Sequence, residues 1–339
     1  MKLESARALK EELRFNLHKT VMGRSPPLMQ AIGLESLGSP RERRANRVSP
    51  PDGVALGIVP GKKRDEFKLA VRLQDATAET QTYAAYVAGK ARDEVDVRFI
   101  GRVQVLPAAA GLTEYQRTVR PLEPGFSVGH FRVTAGTIGG FVVDARGRRG
   151  ILSNNHVLAD SNAGRRGDVI LQAGPFDRGR NPEDVVGKLE RFIQMKKINN
   201  SVDAAYALLN GDVELTTTYR KKRIQNVVAV DDITSSLSVW KVGRTTGYTQ
   251  GTITAVEVDQ VAVNYGGPIY SFDGQLEIEG KAGAFSAGGD SGSFILDKED
   301  RGVGLLFAGS AQGGSNGMGV TYANPLQTAL ELLGLELHE

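Results

Sequence analysis

The sequence GGDSGSFIL at residues 288–296 sets a serine in a glycine-flanked turn and follows the turn with an apolar run. Glycine adopts backbone conformations that other residues avoid, so this composition is typical of a tight turn. The apolar run is typical of a buried β-strand. The glycines would also let the N–H groups of Gly289 and Ser291 converge on one point, as stabilisation of an oxyanion requires. The stretch therefore predicts a reactive serine at the start of a strand.

Two upstream stretches supply groups that would activate such a serine. ILSNNHVLA places His156 directly after an apolar strand, and SVDAAYA places Asp203 in an otherwise apolar strand. A serine hydroxyl is a poor nucleophile, and a neighbouring imidazole can accept its proton. A buried carboxylate must be hydrogen-bonded or paired, and it can orient that imidazole. We therefore predict that His156, Asp203 and Ser291 are the catalytic residues, with Gly289 and Ser291 forming the oxyanion hole.

Each of these residues also has a plainer interpretation. The chain has four histidines, at positions 18, 130, 156 and 338, and an isolated histidine after a strand is more often structural than catalytic. We expect a structural role for His130, which lies in GFSVGH. Asp203 could instead be a cap or turn residue, and Ser291 could serve only the turn. Asp160, in a polar loop close after His156, is a rival orienting carboxylate.

Composition narrows the classes of protein to which this chain can belong. It has no cysteine, which excludes disulfides, zinc fingers, iron–sulfur clusters and a cysteine nucleophile. A net charge of +3 and 40% hydrophobic residues indicate a globular protein without a nucleic-acid partner. We expect no cofactor, no metal site and no membrane association, because no histidine pair, long apolar run or signal peptide is evident. From residue 126 onward, short strands and dense glycine indicate an all-β barrel or sandwich.

The three candidate residues occur in the order His, Asp, Ser, separated by 47 and 88 residues. A further stretch, KVGRTTGYTQGTI at residues 241–253, lies between the last two. Together these stretches resemble the trypsin-like, chymotrypsin-fold serine proteases over residues 126–335. The resemblance implies a mainly β fold with two six-stranded antiparallel β-barrels, at about 126–215 and 235–322, and a C-terminal helix at 325–335. It implies a serine endopeptidase that acts through an acyl-enzyme intermediate.

Within that family, the combined stretches are most similar to cytoplasmic bacterial trypsin-like proteins related to the narrow-leaf protein of plants. Trp240 and Gln250 stand where secreted bacterial members of the wider family have cysteines. The absence of that bridge fits a reducing compartment. The resemblance therefore implies a cytoplasmic protein that cleaves a protein or peptide substrate and forms a homo-oligomer.

The chain departs from the family at the activation site and at the substrate pocket. Animal members insert a newly freed N-terminus beside the aspartate that precedes the serine. Here more than 100 residues precede the first barrel, so Asp290 must be held in another way. The resemblance implies substrate pairing along Gly304–Ser310 and places the pocket at Phe285, Ser286, Ala308, Ser310 and Gly319. None of the pocket residues is acidic, so a preference for Lys or Arg is not implied.

The first 125 residues lie outside the resemblance to the protease domain. Composition and periodicity predict a helical arm at 1–37, an exposed linker at 38–53 and a small α/β domain at 54–125. The elements predicted in this domain are strands Val54–Val59, Lys68–Leu73 and Val95–Val105, and helix Thr80–Lys90. We expect this region to regulate the peptidase and to bind a regulatory protein partner. The alternative is a latent or inactive trypsin-like scaffold that serves as a protein-interaction module.

Overall fold

The structure is a computed structural model. Its described residues are 1–22, 53–61, 63, 65–105 and 113–338, with side chains up to Arg14 in the first helix. The predicted linker at 38–53 lies, apart from Gly53, outside the described residues. The part of the predicted arm that follows residue 22 lies outside them as well.

The N-terminal region contains two helices and a small sheet. Its elements are α1 (Leu3–Met22), β1 (Val54–Pro60), β2 (Phe67–Leu73), α2 (Ala78–Lys90), β3 (Val95–Phe99) and β4 (Val103–Gln104). Helix α2 begins at a capping box, in which Thr77 and Thr80 each bond the other's backbone N–H. It connects β2 to β3, which pair in parallel as a crossover helix requires. None of the described helices is long and apolar enough to cross a membrane.

The first barrel follows and has six strands, because β6 and β7 are two halves of one interrupted strand. They are β5 (Ser127–His130), β6 (Gly136–Thr137) with β7 (Gly140–Asp144), β8 (Arg149–Ser153), β9 (Val169–Leu171), β10 (Val185–Phe192) and β11 (Ala205–Leu209). Antiparallel pairing runs from β7 through β8, β11, β10 and β9 to β5, and β5 closes on β6. Helix α3 (Asn155–Leu158) follows β8. Paired residues such as Ile151 and Ala207 face a shared core.

The second barrel also closes, and two short hairpins accompany it. The hairpins are β12 (Thr218–Tyr219) with β13 (Lys222–Arg223), and β16 (Val261–Asn264) with β17 (Ile269–Phe272). The barrel strands are β14 (Ser238–Gly243), β15 (Gly247–Asp259), β18 (Gln275–Gly280), β19 (Phe294–Asp297), β20 (Gly302–Gly309) and β21 (Thr321–Pro325). Pairing runs β14–β15–β18–β21–β20–β19 and returns to β14. The predicted two-barrel, mainly β fold is therefore confirmed, and Trp240 pairs directly with Gln250.

The C-terminal residues tie the two barrels together. The helix predicted at 325–335 spans Leu326–Leu333 and is named α4. It ends there because Gly334 adopts a left-handed conformation, with φ of +57°, and its N–H bonds the last turn. Strand β22 (Leu335–Leu337) then pairs with β7 of the first barrel.

The N-terminal sheet continues into the second barrel. Leu56 and Ile58 of β1 pair with the long strand β15, so both units share one sheet and one apolar core. The fully buried Arg72 reinforces this junction, because its Nε lies 2.8 Å from a carboxylate oxygen of Glu277 in β18. Glu277 is itself fully buried, so each side chain supplies the countercharge that the other needs.

The strand predicted at Val95–Val105 is interrupted in the structure. The chain turns at Gly101, which has a φ of +68°, and the two halves join different strands. The first half, β3, pairs with β2. The second half, β4, lies between β16 and β20, with Gln104 opposite Gly309. Because the chain turns at Gly101, β4 lies at the edge of the second barrel and not beside β2.

Candidate functional site

His156 lies in the first turn of α3, directly after β8, and is 8% exposed. Its Nδ1 lies 2.5 Å from Oδ2 of Asp203, and its backbone N–H donates to Oδ1 of the same carboxylate at 3.2 Å. Both contacts join the loop after β8 to the loop before β11, strands that pair in the barrel. The imidazole is thereby held with one ring nitrogen on the carboxylate.

Asp203 is fully buried and is surrounded by donors. Its backbone N–H donates to the side-chain oxygen of Asn324 at 3.0 Å, and its carbonyl accepts from Asn154 at 2.7 Å. The Tyr265 hydroxyl donates to Oδ2 at 2.8 Å. The Tyr265 hydroxyl and the two bonds from His156 offset the free energy that burial of the carboxylate costs, and the two backbone contacts fix the position of the residue.

Ser291 lies close to the first barrel although the second barrel carries it. Its carbonyl accepts the N–H of Thr137 at 2.8 Å, and its hydroxyl donates to the carbonyl of Phe307 at 3.4 Å. Gly136 lies between Ser291 and the residue after His156: a Cβ on Gly136 would lie 2.4 Å from Val157 and 3.0 Å from the Ser291 carbonyl. Among the described residues, Nε2 of His156 is buried without a hydrogen-bond partner. The backbone of Ser291 therefore lies against the segment that carries His156, and the two side chains do not share a hydrogen bond in this structure.

The turn before Ser291 contains two backbone N–H groups that have no acceptor among the described residues. The N–H of Asp290 bonds the carbonyl of Ala287, and Gly289 has a φ of +97°, which together define a type II turn. A Cβ on Gly289 would lie 2.6 Å from the Thr245 hydroxyl, so the position requires glycine. The N–H groups of Gly289 and Ser291 donate to no described residue. They are therefore free to bind an anionic oxygen.

Asp290 is held by Lys241 and by backbone N–H groups. Both side chains are fully buried, and Nζ of Lys241 lies 3.3 Å from Oδ2 of Asp290. The carboxylate also accepts the N–H groups of Thr245, Thr246 and Ala287 at 2.8–3.1 Å. Burial lowers the pKa of Lys241, and the negative charge of Asp290 opposes that shift. Lys241 is therefore the internal partner of Asp290, whose identity the sequence analysis left open.

The predicted pocket residues lie in or near the buried interior of the second barrel. Phe285 is buried in the core of the second barrel, so its ring does not line an open pocket. The hydroxyl of Ser286 lies 2.7 Å from that of Thr321. Ala308 and Ser310 are nearly buried at the end of β20, and a Cβ on Gly319 would meet the Ser310 carbonyl at 2.0 Å.

The rival carboxylate Asp160 and the histidine expected to be structural, His130, have other partners. Asp160 pairs with Arg132 at 3.3 Å. His130 is fully buried, and its Nε2 lies 3.0 Å from a carboxylate oxygen of Asp168. Both residues thus take part in contacts of the first barrel that do not involve Ser291.

Sequence reasoning missed three residues of the site. Lys241 lies in the KVGRTTG stretch that marked the second barrel, so its position could have suggested a partner for Asp290. Asn324 lies in β21 and Tyr265 at the end of β16, both far from Asp203 along the chain. Neither lies in a stretch with a recognisable catalytic pattern.

A protein-family model and several solved structures are similar to parts of this chain. A model of peptidase family S64 matches residues 187–320, which include Asp203 and Ser291. Protease A of Thermobifida fusca is 18% identical over 64% of this chain and 98% of its own, with a TM-score of 0.45. The chymotrypsin of Cellulomonas bogoriensis is 23% identical over 64% of this chain and 99% of its own, with a TM-score of 0.43. No curated protein matches the chain.

Proposed function

Since this chain is a serine peptidase of the chymotrypsin fold, we propose that it is an endopeptidase whose nucleophile is Ser291. His156 is the proposed general base and Asp203 the group that orients it. The N–H groups of Gly289 and Ser291 are the proposed oxyanion hole. The substrate is a protein or peptide that binds in extended form.

The proposed reaction has two steps. Nε2 of His156 accepts the hydroxyl proton while Oγ of Ser291 forms a bond to the peptide carbonyl carbon. The oxyanion accepts hydrogen bonds from the two N–H groups. His156 then donates its proton to the nitrogen of the leaving amine as the peptide C–N bond breaks. Water, deprotonated by the same imidazole, hydrolyses the resulting ester and restores the serine.

The observation that carries this proposal is the asymmetric environment of His156. Nδ1 is bound to a buried carboxylate at 2.5 Å, whereas the buried Nε2 has no described partner. A buried polar atom without a partner costs free energy, which a purely structural histidine would avoid. The hydroxyl of Ser291 has one described hydrogen bond, a long one of 3.4 Å, so little free energy opposes its rotation to another staggered position.

A fluorophosphonate probe with intact-mass detection tests the proposal. We expect the probe to label Ser291 in the full chain, and we expect labelling to be lost in Ser291→Ala and His156→Ala. Ser293→Ala is the matched control, because its buried hydroxyl belongs to the same turn and bonds only the carbonyl of Asp290. Labelling that persists in Ser291→Ala would refute the assignment of the nucleophile.

We also infer that the N-terminal region restricts access to the site. Gln104 in β4 pairs antiparallel with Gly309, at the edge of β20 where a substrate backbone would add as a strand. Gly309 lies two residues from Phe307, whose carbonyl accepts the Ser291 hydroxyl, so the paired edge is close in sequence to the support of the proposed nucleophile. A substrate would have to displace β4 to pair along the whole strand.

Two substitutions of Gln104 separate backbone pairing from side-chain effects. Gln104→Pro removes an N–H and disfavours pairing of β4, whereas Gln104→Ala retains the backbone. If β4 competes with substrate, Gln104→Pro will increase the rate of labelling by a peptidyl phosphonate several-fold, and Gln104→Ala will not. Equal rates for both variants would exclude competition by β4.

The second candidate is a latent trypsin-like scaffold that binds partner proteins. The unformed bond between Ser291 and His156 and the occupied edge at Gly309 favour it. Failure of the probe to label either the wild type or Gln104→Pro would support the scaffold. A regulatory partner at the N-terminal region, a homo-oligomer and a cytoplasmic location stay predictions from the sequence.

A further inference from the structure

Tyr265 lies against the proposed catalytic pair, although it comes from a hairpin outside the barrel strands. It follows β16, and its hydroxyl donates to Oδ2 of Asp203 at 2.8 Å. Its ring stands edge-on to the imidazole of His156, with 5.7 Å between the ring centres and 75° between the planes. One side chain therefore contacts both members of the pair.

An aromatic cluster holds this tyrosine in place. Its ring packs edge-on to Tyr270 at 5.3 Å and stacks on Phe272 at 6.2 Å. Phe272 in turn contacts Phe307 at 4.8 Å, the residue whose carbonyl accepts the Ser291 hydroxyl. The cluster thus links Tyr265, which bonds Asp203, to Phe307 in strand β20.

The Tyr265 hydroxyl is constrained to act as a donor. Burial raises its pKa well above the usual value for tyrosine, and the charge of Asp203 raises the pKa further. The phenol therefore keeps its proton at neutral pH. Because Oδ2 accepts both this hydroxyl and Nδ1 of His156, the two donors share the negative charge of one oxygen atom.

We propose that Tyr265 is a positioning residue for the proposed reaction: its hydroxyl fixes Oδ2 of Asp203, and its ring limits rotation of His156. The inference rests on the proposed function. The titratable groups that face the Tyr265 hydroxyl are Asp203, His156 and Tyr270. Without the hydroxyl, Oδ2 would lose one of its donors, and the carboxylate would interact more strongly with a positive charge on the imidazole.

Tyr265→Phe tests this inference, with Tyr270→Phe as the matched control. Each removes one hydroxyl from the same aromatic cluster, but only Tyr265 bonds the carboxylate. The measured quantity is the second-order rate constant of fluorophosphonate labelling across the pH range in which imidazoles titrate. We expect Tyr265→Phe to lower this constant roughly tenfold and to move the acid limb of its profile to higher pH. Tyr270→Phe should leave both within about twofold of the wild type.

A second measurement does not depend on activity. In a Ser291→Ala background, the proton on Nδ1 of His156 should give a downfield NMR resonance, because it bonds a carboxylate at 2.5 Å. We expect Tyr265→Phe to shift this resonance and its titration, and Tyr270→Phe to leave both unchanged.

The two measurements separate failure of this inference from failure of the proposed function. If the wild type is never labelled but Tyr265→Phe shifts the resonance, the peptidase proposal fails and the positioning role stands. If Tyr265→Phe labels more slowly with an unchanged pH profile and an unchanged resonance, the tyrosine serves only packing and the inference is wrong. An unchanged rate and profile in Tyr265→Phe would refute it as well.

Discussion

The buried pair of Lys241 and Asp290 makes a quantitative prediction about the turn that carries Ser291. Lys241→Met keeps an unbranched apolar chain of similar length and removes the ammonium group. Asp290 then remains fully buried without its cation. Its carboxylate retains the N–H groups of Thr245, Thr246 and Ala287, and the Thr246 hydroxyl at 2.7 Å.

The expected cost follows from these contacts. Removing one partner of a buried ion pair destabilises a protein by about 3–5 kcal/mol, because the remaining charge is uncompensated. The retained donors place this case near the lower end, so we expect Lys241→Met to lower the free energy of unfolding by about 3 kcal/mol. The loss should also slow fluorophosphonate labelling, since the same carboxylate orders the turn from Ala287 to Ser291.

Urea unfolding measures the stability change, and Lys222→Met is the matched control. Lys222 lies 2.8 Å from Asp300 but is 54% exposed, so the same substitution should cost no more than about 1 kcal/mol there. A double-mutant cycle with Asp290→Asn then isolates the pair. If Lys241→Met costs no more than Lys222→Met, or if its effect adds to that of Asp290→Asn, the pair does not hold the turn.

Three further predictions concern the sheet junction, acid stability and a glycine beside the site. Arg72→Met should lower the free energy of unfolding by about 3–5 kcal/mol, because it leaves the buried Glu277 without its cation; a cost below about 1 kcal/mol in urea would contradict this. Burial raises the pKa of Asp144, but bonds from a nearby arginine outweigh it and lower the pKa from 3.8 to about 2. Its stabilising effect should therefore be complete above about pH 5 and lost as pH falls towards 2, so the urea midpoints of the wild type and Asp144→Asn should converge over that range. Gly292→Ala should abolish labelling, because its Cβ would lie 2.0 Å from a buried hydroxyl, whereas Gly147→Ala, which has positive φ but open space, should label normally.

Most of the two-barrel fold was predictable from local patterns. The strands of the second barrel span Ser238–Pro325, close to the predicted range of about 235–322, because alternating apolar residues and glycine turns act over short distances. The strand predicted at Val95–Val105 failed at Gly101, where a positive φ changes the chain direction. The periodicity of a sequence does not show which strands pair with each other. The pairing of Gln104 in β4 with Gly309 could therefore not be predicted from the sequence.

The candidate site shows the same division. Linear patterns around His156, Asp203 and Ser291 identified three residues that the structure brings to the barrel interface. Tyr265 lies in no recognisable pattern, and Lys241 lies in one that does not name its partner; each meets its carboxylate only through the fold.

The sequence alone determined the candidates for the chemistry of this protein: a serine in a glycine-flanked turn, four histidines and no cysteine. These follow from residue types and from turns whose conformation depends on adjacent glycines. Only the tertiary structure decided which residues stabilise the candidate site residues and which strand pairs with the edge next to them. Lys241 pairs with Asp290, the Tyr265 hydroxyl bonds Asp203, and strand β4 pairs with Gly309. Each of these contacts joins segments that are distant in the chain and that folding brings together. The physical reason is that a buried charge and an unpaired strand edge require partners, and only the folded chain determines which residues supply them.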